Sequence, residues 1–461
     1  MGVSSVPAAA STSRLVDVLE DMARERQPLL HSFVEDGGLT LVTPGVAGAG
    51  TLEHRVVGPG PLGRPSRSGM PLFWGVEHVL PVSLWMHASR FKPVRGRGLH
   101  VMPLGPVRGD VAESLMYQLM VTGDEIHLVR LRAGFKRRHV AKRMAHQTAD
   151  RAVTVAERVT GTSPVAHALA LSQAVEAARG WDVAGPSLRA RIILAELERI
   201  VSHVGDLALL AASTGTIAAA ADWFRLKERL LRYYAVLTGH RYLRGVVGPG
   251  GLRHPLSAAV ADLAPLVSEV EHRLDAIGGA LDQTNSYLDR LYTAGLLPAL
   301  PDASVYWTGF VGKSAGLRAD VRWDRPYGGY PALLSDLEPV TFQRPDAFGR
   351  YWVRLEEARQ SLELLRRLPD VADAGLEAAA PHFGNRSDGV GYGLVEAPRG
   401  RLCYRVALAD PAGDTVDRVS ITTPSLLNWP AVPLALQQKN ILQDFPIIDA
   451  SFNLAVAALD L

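Results

Sequence analysis

The chain has 461 residues, 47% of them hydrophobic and 21% charged, a balance that excludes a solvated low-complexity chain and a polytopic membrane protein and allows a large buried core. Its 49 Lys and Arg against 47 Asp and Glu leave a formal net charge of +2, so no global field draws it to nucleic acid. Cys403 stands alone, which excludes an intrachain disulfide, a CxxC redox pair and any cysteine-ligated cluster built from this chain.

In chain order, Met1 to Gln27 lacks the basic, apolar and small-residue succession of a secretory signal. Leu15, Val18, Leu19 and Met22 predict a short amphipathic helix over 13–26, and strand-like runs follow at 39–43 and 52–57, giving a small α/β unit over 1–57. Residues 58–69 are dense in Gly, Pro and Ser and read as a linker; 70–98 read as a strand-rich connector. From Gly105 to Val129 two apolar runs flank Gly123, Asp124 and Glu125, the pattern of a hairpin. Long helices rich in Ala, Leu, Arg and Glu are expected from about 138 to 297. In 191–212, Ile193, Leu197, Ile200, Val204 and Leu207 form one apolar seam, with Glu196, Arg199 and His203 in a stripe beside it. Helices are also expected over 223–237, 256–288 and 346–368, and strand-like and loop segments run to Leu461. The longest uncharged apolar stretch, between Asp206 and Asp222, is short for a span of roughly 20 residues and is broken by Ser213, Thr214, Gly215 and Thr216. A chain of this kind reaches a membrane only through a partner.

Self-contained catalytic motifs are missing from the sequence: no HExxH, no GxSxG, and a GPGG at 248–251 without the lysine of a phosphate loop. Gly389, Gly391 and Gly393 alternate without the spacing of a dinucleotide fingerprint and read as a turn or loose strand. Arg130, Arg132, Lys136, Arg137, Arg138, Lys142 and Arg143 form the one strong charge run, read as a solvated or partner-facing helix rather than a nucleic-acid site.

Several strings occur in a telling order: Gly105-Pro106, then 157–167 (ERVTGTSPVAH), 196–203 (ELERIVSH), 237–241 (LTGHR), Asp320-Val321-Arg322 with 326–330 (PYGGY), 396–400 (EAPRG), and Thr423-Pro424-Ser425 with Asn428. Together they resemble the large subunit of membrane-bound nickel-iron hydrogenases of the formate hydrogenlyase and energy-converting type, and its relative, the quinone-site D subunit of NADH-quinone oxidoreductase (respiratory complex I). The resemblance spans about 99–461. It implies an α+β fold: a mainly helical, hydrogenase-large-subunit-like core with a β-hairpin, preceded by the small α/β unit. Residues 70–98 are faintly similar to the end of the complex I C subunit. Glu113 follows the hairpin as in the hydrogenase branch, and no histidine occurs between Gly105 and Ile126, where the complex I branch carries its quinone-facing histidines. Gly161 likewise stands where that branch has a quinone-binding tyrosine.

By the same resemblance, the four nickel-iron ligand positions fall at Thr160, Ser163, Ala455 and Ala458, the second pair expected in the last helix. All four thiolates are gone, and hydroxyls and methyls do not replace soft ligands for that metal pair. The chain is therefore expected to hold no metal and no cofactor of its own. By the same resemblance, no tail to trim after metal insertion is expected beyond Leu461. Other family positions also differ, at Arg137, Ala141, Ser213 and Lys313. Glu157, Arg158, His167, Glu196, Arg199, His203, Asp320, Arg322 and Arg399 persist. The resemblance makes Glu113, His167 and Arg399 the candidate catalytic residues and implies a cavity among Glu113, Gly161, His167 and Arg399. The implied partners are a small iron-sulfur subunit and membrane subunits. The implied function is a peripheral subunit on the cytoplasmic side of a membrane complex that passes electrons from the partner's cluster to a quinone-like acceptor. The alternative is a catalytically silent scaffold.

Overall fold

Antiparallel meanders pack around a helical core in the computed structural model, which describes residues 31–35, 38–44, 51–56, 96–108, 113–298, 307–368, 382–383, 389–410, 413–437 and 439–459. β1 (His31–Glu35), β2 (Gly38–Pro44) and β3 (Thr51–Val56) form one sheet in sequence order, so the expected strands at 39–43 and 52–57 are joined by an additional one. The helix expected over 13–26, the linker and nearly all of the 70–98 connector lie outside the described residues. β4 (His100–Leu104), β5 (Met116–Thr122) and β6 (Glu125–Arg132) form a second antiparallel meander. The expected hairpin is its β5–β6 half, turning at Gly123, whose φ of 60° suits a residue without Cβ. Tyr117, Leu119, Val121, Ile126, Val129 and Leu131 point inward from it.

Helices follow as expected in kind. They are α1 (Val140–Met144), α2 (Ala149–Ala156), α3 (Pro164–Arg179), α4 (Gly185–Ser213), α5 (Ile217–Thr238), α6 (Leu263–Asp282) and α7 (Asn285–Leu291). Short helices α8 (Gly309–Ser314), α9 (Val321–Asp324) and α10 (Tyr330–Leu333) precede the long α11 (Ala347–Arg367). Asp346 caps α11 by accepting from the Gly349 N–H at 2.9 Å. The helix expected over 256–288 begins instead as a 3₁₀ turn at Ala258–Asp262 and breaks after Asp282. The basic run is not one solvated helix either. Arg130 and Arg132 belong to β6, the helix begins only at Val140, and Arg138 turns inward.

α4, 29 residues and about 43 Å long, is the central element. α5, α11 and the C-terminal α14 (Phe445–Phe452) pack against it. The apolar seam is buried as expected, but so is the charged stripe beside it: Glu196 and His203 are wholly enclosed and Arg199 is 1% exposed. A stripe of charge enters the interior only where other elements supply its partners.

Two short pairs, β7 (Trp181–Asp182) with β10 (His382–Phe383) and β8 (Val247–Gly248) with β9 (Gly251–Leu252), lie between these helices. The last meander is β11 (Val390–Ala397), β12 (Gly400–Leu408) and β13 (Val416–Thr422), followed by α12 (Pro424–Asn428) and α13 (Ala431–Gln437). β11 corrects the loose-strand reading of Gly391 and Gly393. A Cβ on Gly393 would stand 1.8 Å from the Ala170 carbonyl oxygen, and one on Gly391 2.0 Å from that of Ala174. The glycines let a strand lie directly on the alanine face of α3. Gly393→Ala is expected to destabilise the chain by about 3 kcal/mol or more, because the obstacle is backbone and cannot rotate away. Urea unfolding checks this; an unchanged midpoint would refute the backbone contact.

Candidate functional site

The structure brings the segments 160–163 and 455–458 side by side. Nη2 of Arg138 donates to the Val159 carbonyl at 2.8 Å and also to the Ala457 carbonyl, so one nitrogen joins the two segments. Arg399 repeats the bridge, donating to Thr162 Oγ1 at 2.5 Å and to the Asn453 carbonyl at 2.8 Å. The Thr423-Pro424-Ser425 string holds the second segment. Ser425 Oγ accepts from the Ala455 N–H at 3.1 Å, and Thr423 Oγ1 donates to the Ala458 carbonyl at 3.4 Å. Glu113 accepts from the Ala457 N–H at 2.6 Å.

Ala455 and Ala458 are not in an α-helix, contrary to expectation. α14 ends at Phe452, Asn453 takes the left-handed conformation (φ 39°, ψ 49°), and a 3₁₀ turn spans Val456–Leu459. Asparagine tolerates that backbone where most residues do not. Thr160 Oγ1 and Ser163 Oγ lie 2.9 Å apart, each satisfying the other. Two hydroxyls bonded to each other and two methyls do not fit a nickel-iron pair. Among the described residues no group of three His, Cys, Asp or Glu is placed to hold a metal ion.

Asp206 lies behind this junction. Its Oδ1 accepts from Arg399 at 2.9 Å and from the Asn453 amide at 2.7 Å, and its Oδ2 faces Arg354 Nε at 3.3 Å. Arg354 donates onward to the Ser451 and Phe452 carbonyls at 2.6 and 2.9 Å, so two guanidiniums cap the C-terminal end of α14. Arg399 is aimed inward by the tight β11–β12 turn, where Gly400 lies against Gly309. A Cβ on Gly309 would stand 2.5 Å from the Arg399 carbonyl oxygen. Asp206 extends the stripe of Glu196, Arg199 and His203 by three residues. That spacing was the signal by which the sequence reading could have found it.

A buried ionic network fills the space between α4, α8, α9, α11 and β11. Arg322 reaches Glu196 at 3.2 Å and Asp320 at 2.9 Å, and Lys313 bonds Asp320 and, at 2.5 Å, Glu357. Arg199 donates to the Glu396 and Ala397 carbonyls at 2.6 and 3.2 Å. Tyr330 and Ser361 donate to Glu196 at 2.5 and 2.6 Å. His203 Nε2 is 3.0 Å from Glu357. Burial would raise the Glu196, Asp320 and Glu357 carboxyls, but Arg322, Arg199 and Lys313 outweigh it and hold all three below the usual range. Glu396 behaves differently. Its Oε1 has no hydrogen-bond partner among the described residues, Lys313 is 3.9 Å away, and burial with the charge of Asp320 pushes it up to about 8. Arg199 and Arg401, the latter opposite it on β12, are further charged neighbours. Among the carboxyls of this network, Glu396 thus differs from Glu196, Asp320 and Glu357 in keeping its proton near neutral pH.

A cavity of about 110 Å³ adjoins the junction, lined by Gly161, Thr162 and Asn453 on one side and by Glu198, Ser202, Gly205 and Asp206 of α4 with Lys227 and Leu231 of α5 on the other. Of the four residues expected around a cavity, Gly161 alone lines it. Arg399 lies behind its wall through Thr162, Asp206 and Asn453. Glu113 is engaged with Ala457. His167 faces elsewhere: its Nδ1 is 2.7 Å from Tyr404 Oη, and burial, with the nearby charge of Arg138, lowers it to about 3. Glu198, Ser202 and Lys227 escaped the sequence reading, since each occurs in an ordinary helical context. Glu198 accepts from the Val165 and Ala166 N–H groups at 2.6 and 2.9 Å, yet burial pushes it up to about 8.

These values set a pH dependence. The folded Glu396 and Glu198 keep a proton that the unfolded chain loses at the ordinary carboxyl pKa, so their stabilising effect is complete below that range and is lost as pH rises to about 8. His167 and His203, both lowered from 6.5 by burial, cost stability only as pH falls below that value. Between pH 6.5 and about 8, stability is expected to fall with rising pH, and Glu396→Gln is expected to flatten that fall. Urea titrations at stepped pH measure it, and a slope unchanged in the variant would refute the assignment.

The family described as "Respiratory-chain NADH dehydrogenase, 49 Kd subunit" matches residues 213–383. NADH-quinone oxidoreductase subunit 4 of Thermus thermophilus is 25% identical over 384 residues, covering 77% of this chain and 93% of the relative. A D-type subunit of NADH-quinone oxidoreductase from Solibacter usitatus is 27% identical over 385 residues, with the same coverage. A solved chain of the membrane-bound sulfane sulfur reductase, an archaeal respiratory membrane complex, shares the fold with a TM-score of 0.69 and 20% identity, covering 80% of this chain and all of that one. With similarity in sequence over 77% of its length, the chain is similar to the 49-kDa, or D, subunit of NADH-quinone oxidoreductase.

Proposed function

We propose that the chain is the large subunit of a membrane-associated oxidoreductase of the complex I and formate hydrogenlyase type, in which the nickel-iron site has been lost. Electrons pass from an iron-sulfur cluster in a small partner subunit to a quinone-like acceptor at the face formed by 160–163 and 453–458. The observation that carries this reading is the cavity opening at Gly161, against the junction where the family holds its reacting centre. Reduction of a quinone-like group needs protons as well as electrons. Glu198 lines the cavity and, pushed up to about 8, holds a proton near neutral pH that it can give to an oxygen reduced there. Arg399 is a positioning residue, fixing Thr162, Asn453 and Asp206 around the cavity wall. Glu113, bonded to the Ala457 N–H, stands on a path for protons to leave, and His167 ties α3 to Tyr404 of β12.

The relatives' names supply the setting. They are subunits of NADH-quinone oxidoreductase, and among the described residues no helix is long and apolar enough to cross a membrane. The chain is then peripheral, held on the cytoplasmic side by its partners, with residues 1–57 as a separate accessory unit.

A second reading is favoured by one observation. Thr160 and Ser163 satisfy each other, and Asp206 satisfies Arg399 and Arg354, with no ligand required. On that reading the subunit is a silent scaffold. Quinone reduction by the purified complex separates the two. Arg399→Lys keeps the charge but loses the five-donor fork, so assembly is expected to survive while turnover falls at least about tenfold. Absence of turnover in the native complex would leave the scaffold, and a variant unaltered in both assembly and turnover would refute the role of Arg399. Metal analysis of the purified chain is expected to find no stoichiometric nickel; nickel bound near Thr160 would overturn the reading of the lost ligands.

A further inference from the structure

The basic run between β6 and α2 touches the site described above through Arg138, and the rest of it has no role there. No acid occurs between Glu125 and Asp150, while seven Lys and Arg fall in that interval of a chain whose formal net charge is +2, so the remainder of the chain is net acidic. The two flanking acids have neighbours of their own: Glu125 is 3.9 Å from His127, and Asp150 is paired with Arg253 at 2.7 Å. Val140 and Met144 are buried and anchor α1, which leaves Lys142 and Arg143 exposed. Lys136 and Arg137, in the segment before α1, are exposed as well. None of these four forms a hydrogen bond or ion pair with any described residue. Surface arginines of α5, α6 and α11 do find carboxylates: Arg225 pairs with Asp222, Arg273 with Glu269 and Arg366 with Glu271. Like charges crowded together without counter-charges repel one another, a cost that this chain by itself does not offset. At the edge of the group Arg132 lies over the ring of Phe135, 5.1 Å from the centroid, and both are exposed. Arginine and aromatic side chains are the residues that most often anchor protein interfaces.

We propose that this face docks a protein partner through an acidic surface, with Lys136, Arg137, Lys142 and Arg143 supplying the opposite charge and Arg132 and Phe135 at its edge. The inference rests on the reading that a partner delivers electrons to the junction, and it names where that partner sits and what chemistry holds it. Arg138 ties the face to the junction: it donates inward to the Val159 and Ala457 carbonyls, while Arg137 beside it is exposed. A partner seated on the four cations is therefore brought up against the two segments that the electrons must reach. Charges at such a face steer the approach and fix the orientation of the partner. A lipid surface fits less well, because α1 has five residues with Val140 and Met144 both buried, and so presents no apolar face to insert. A single-stranded nucleic acid would need aromatics along the run to stack its bases, and Phe135 is the one Phe, Tyr or Trp in it.

Carbodiimide joins lysines directly to carboxylates, so cross-linking of the purified complex, read by mass spectrometry, tests this. Lys136 and Lys142 are expected to link to Asp or Glu residues of a partner subunit, and to be shielded from acetylation in the complex while reacting in the full chain alone. The double variant Arg137→Glu, Arg143→Glu is expected to bind the partner subunits recovered from that complex about tenfold more weakly or worse. Its urea unfolding midpoint is expected to stay unchanged, since neither arginine has a partner in the chain. Lysines equally reactive in both states, native affinity in the double variant, or a chain that purifies from its source with no protein partner overturns the proposal. Binding of the full chain to phosphatidylglycerol vesicles that the double variant loses while it still assembles normally would also overturn it, assigning the face to a lipid surface. Because assembly is measured and turnover is not, such a failure is distinct from a failure of quinone reduction by the complex.

Discussion

The charges buried along α4 constrain everything around them. Glu196, Arg199, His203 and Asp206 lie on one stripe of a helix that has no solvent-facing side left for them. Each ion taken from water costs several kcal/mol unless partners replace its hydration. Those partners come from far along the chain: Lys313, Asp320 and Arg322 from the short helices α8 and α9 and their connection, Glu357 and Arg354 from α11, Glu396 and Arg399 from β11 and its turn. Such a network supplies little net stability, but it tolerates only one arrangement of the elements. It therefore places the β11–β12 turn and the end of α14 against the loop 160–163.

That placement is held without a metal ligand set. Where thiolates would join the two segments through metal, this chain joins them through Arg138, Arg399 and the Ser425 and Thr423 hydroxyls. Hydrogen bonds to backbone carbonyls need no particular residue at 455 or 458, so alanines suffice there. The junction is held as a structural unit while its donor set no longer suits a soft metal. The cavity beside it is lined from α4 and α5 by Glu198, Asp206 and Lys227.

Protonation divides the interior into two kinds of carboxyl. Glu196, Asp320 and Glu357 touch cations directly and stay ionised, whereas Glu396 and Glu198 are buried with weaker compensation and retain protons near neutral pH. The two proton-bearing groups lie on different sides of α4, one in the network and one at the cavity.

The sequence by itself determined the helical core, the β5–β6 hairpin, the family resemblance and the presence of a single cysteine, because periodicity, turn residues and residue identity are local properties. Even Arg399 as an inward guanidinium was legible, from the proline before it. Tertiary structure alone decided three things. Gly391 and Gly393 read as a loose strand until the backbone of α3 was seen to occupy the space that their Cβ atoms would need. The last metal-ligand positions read as helix until Asn453 was seen to break it, since a left-handed asparagine is set by the Arg399 and Asp206 bonds it makes. One wall of the cavity is formed where Lys227 crosses Gly205 from another helix, a contact between residues 22 positions apart whose pairing no local pattern encodes.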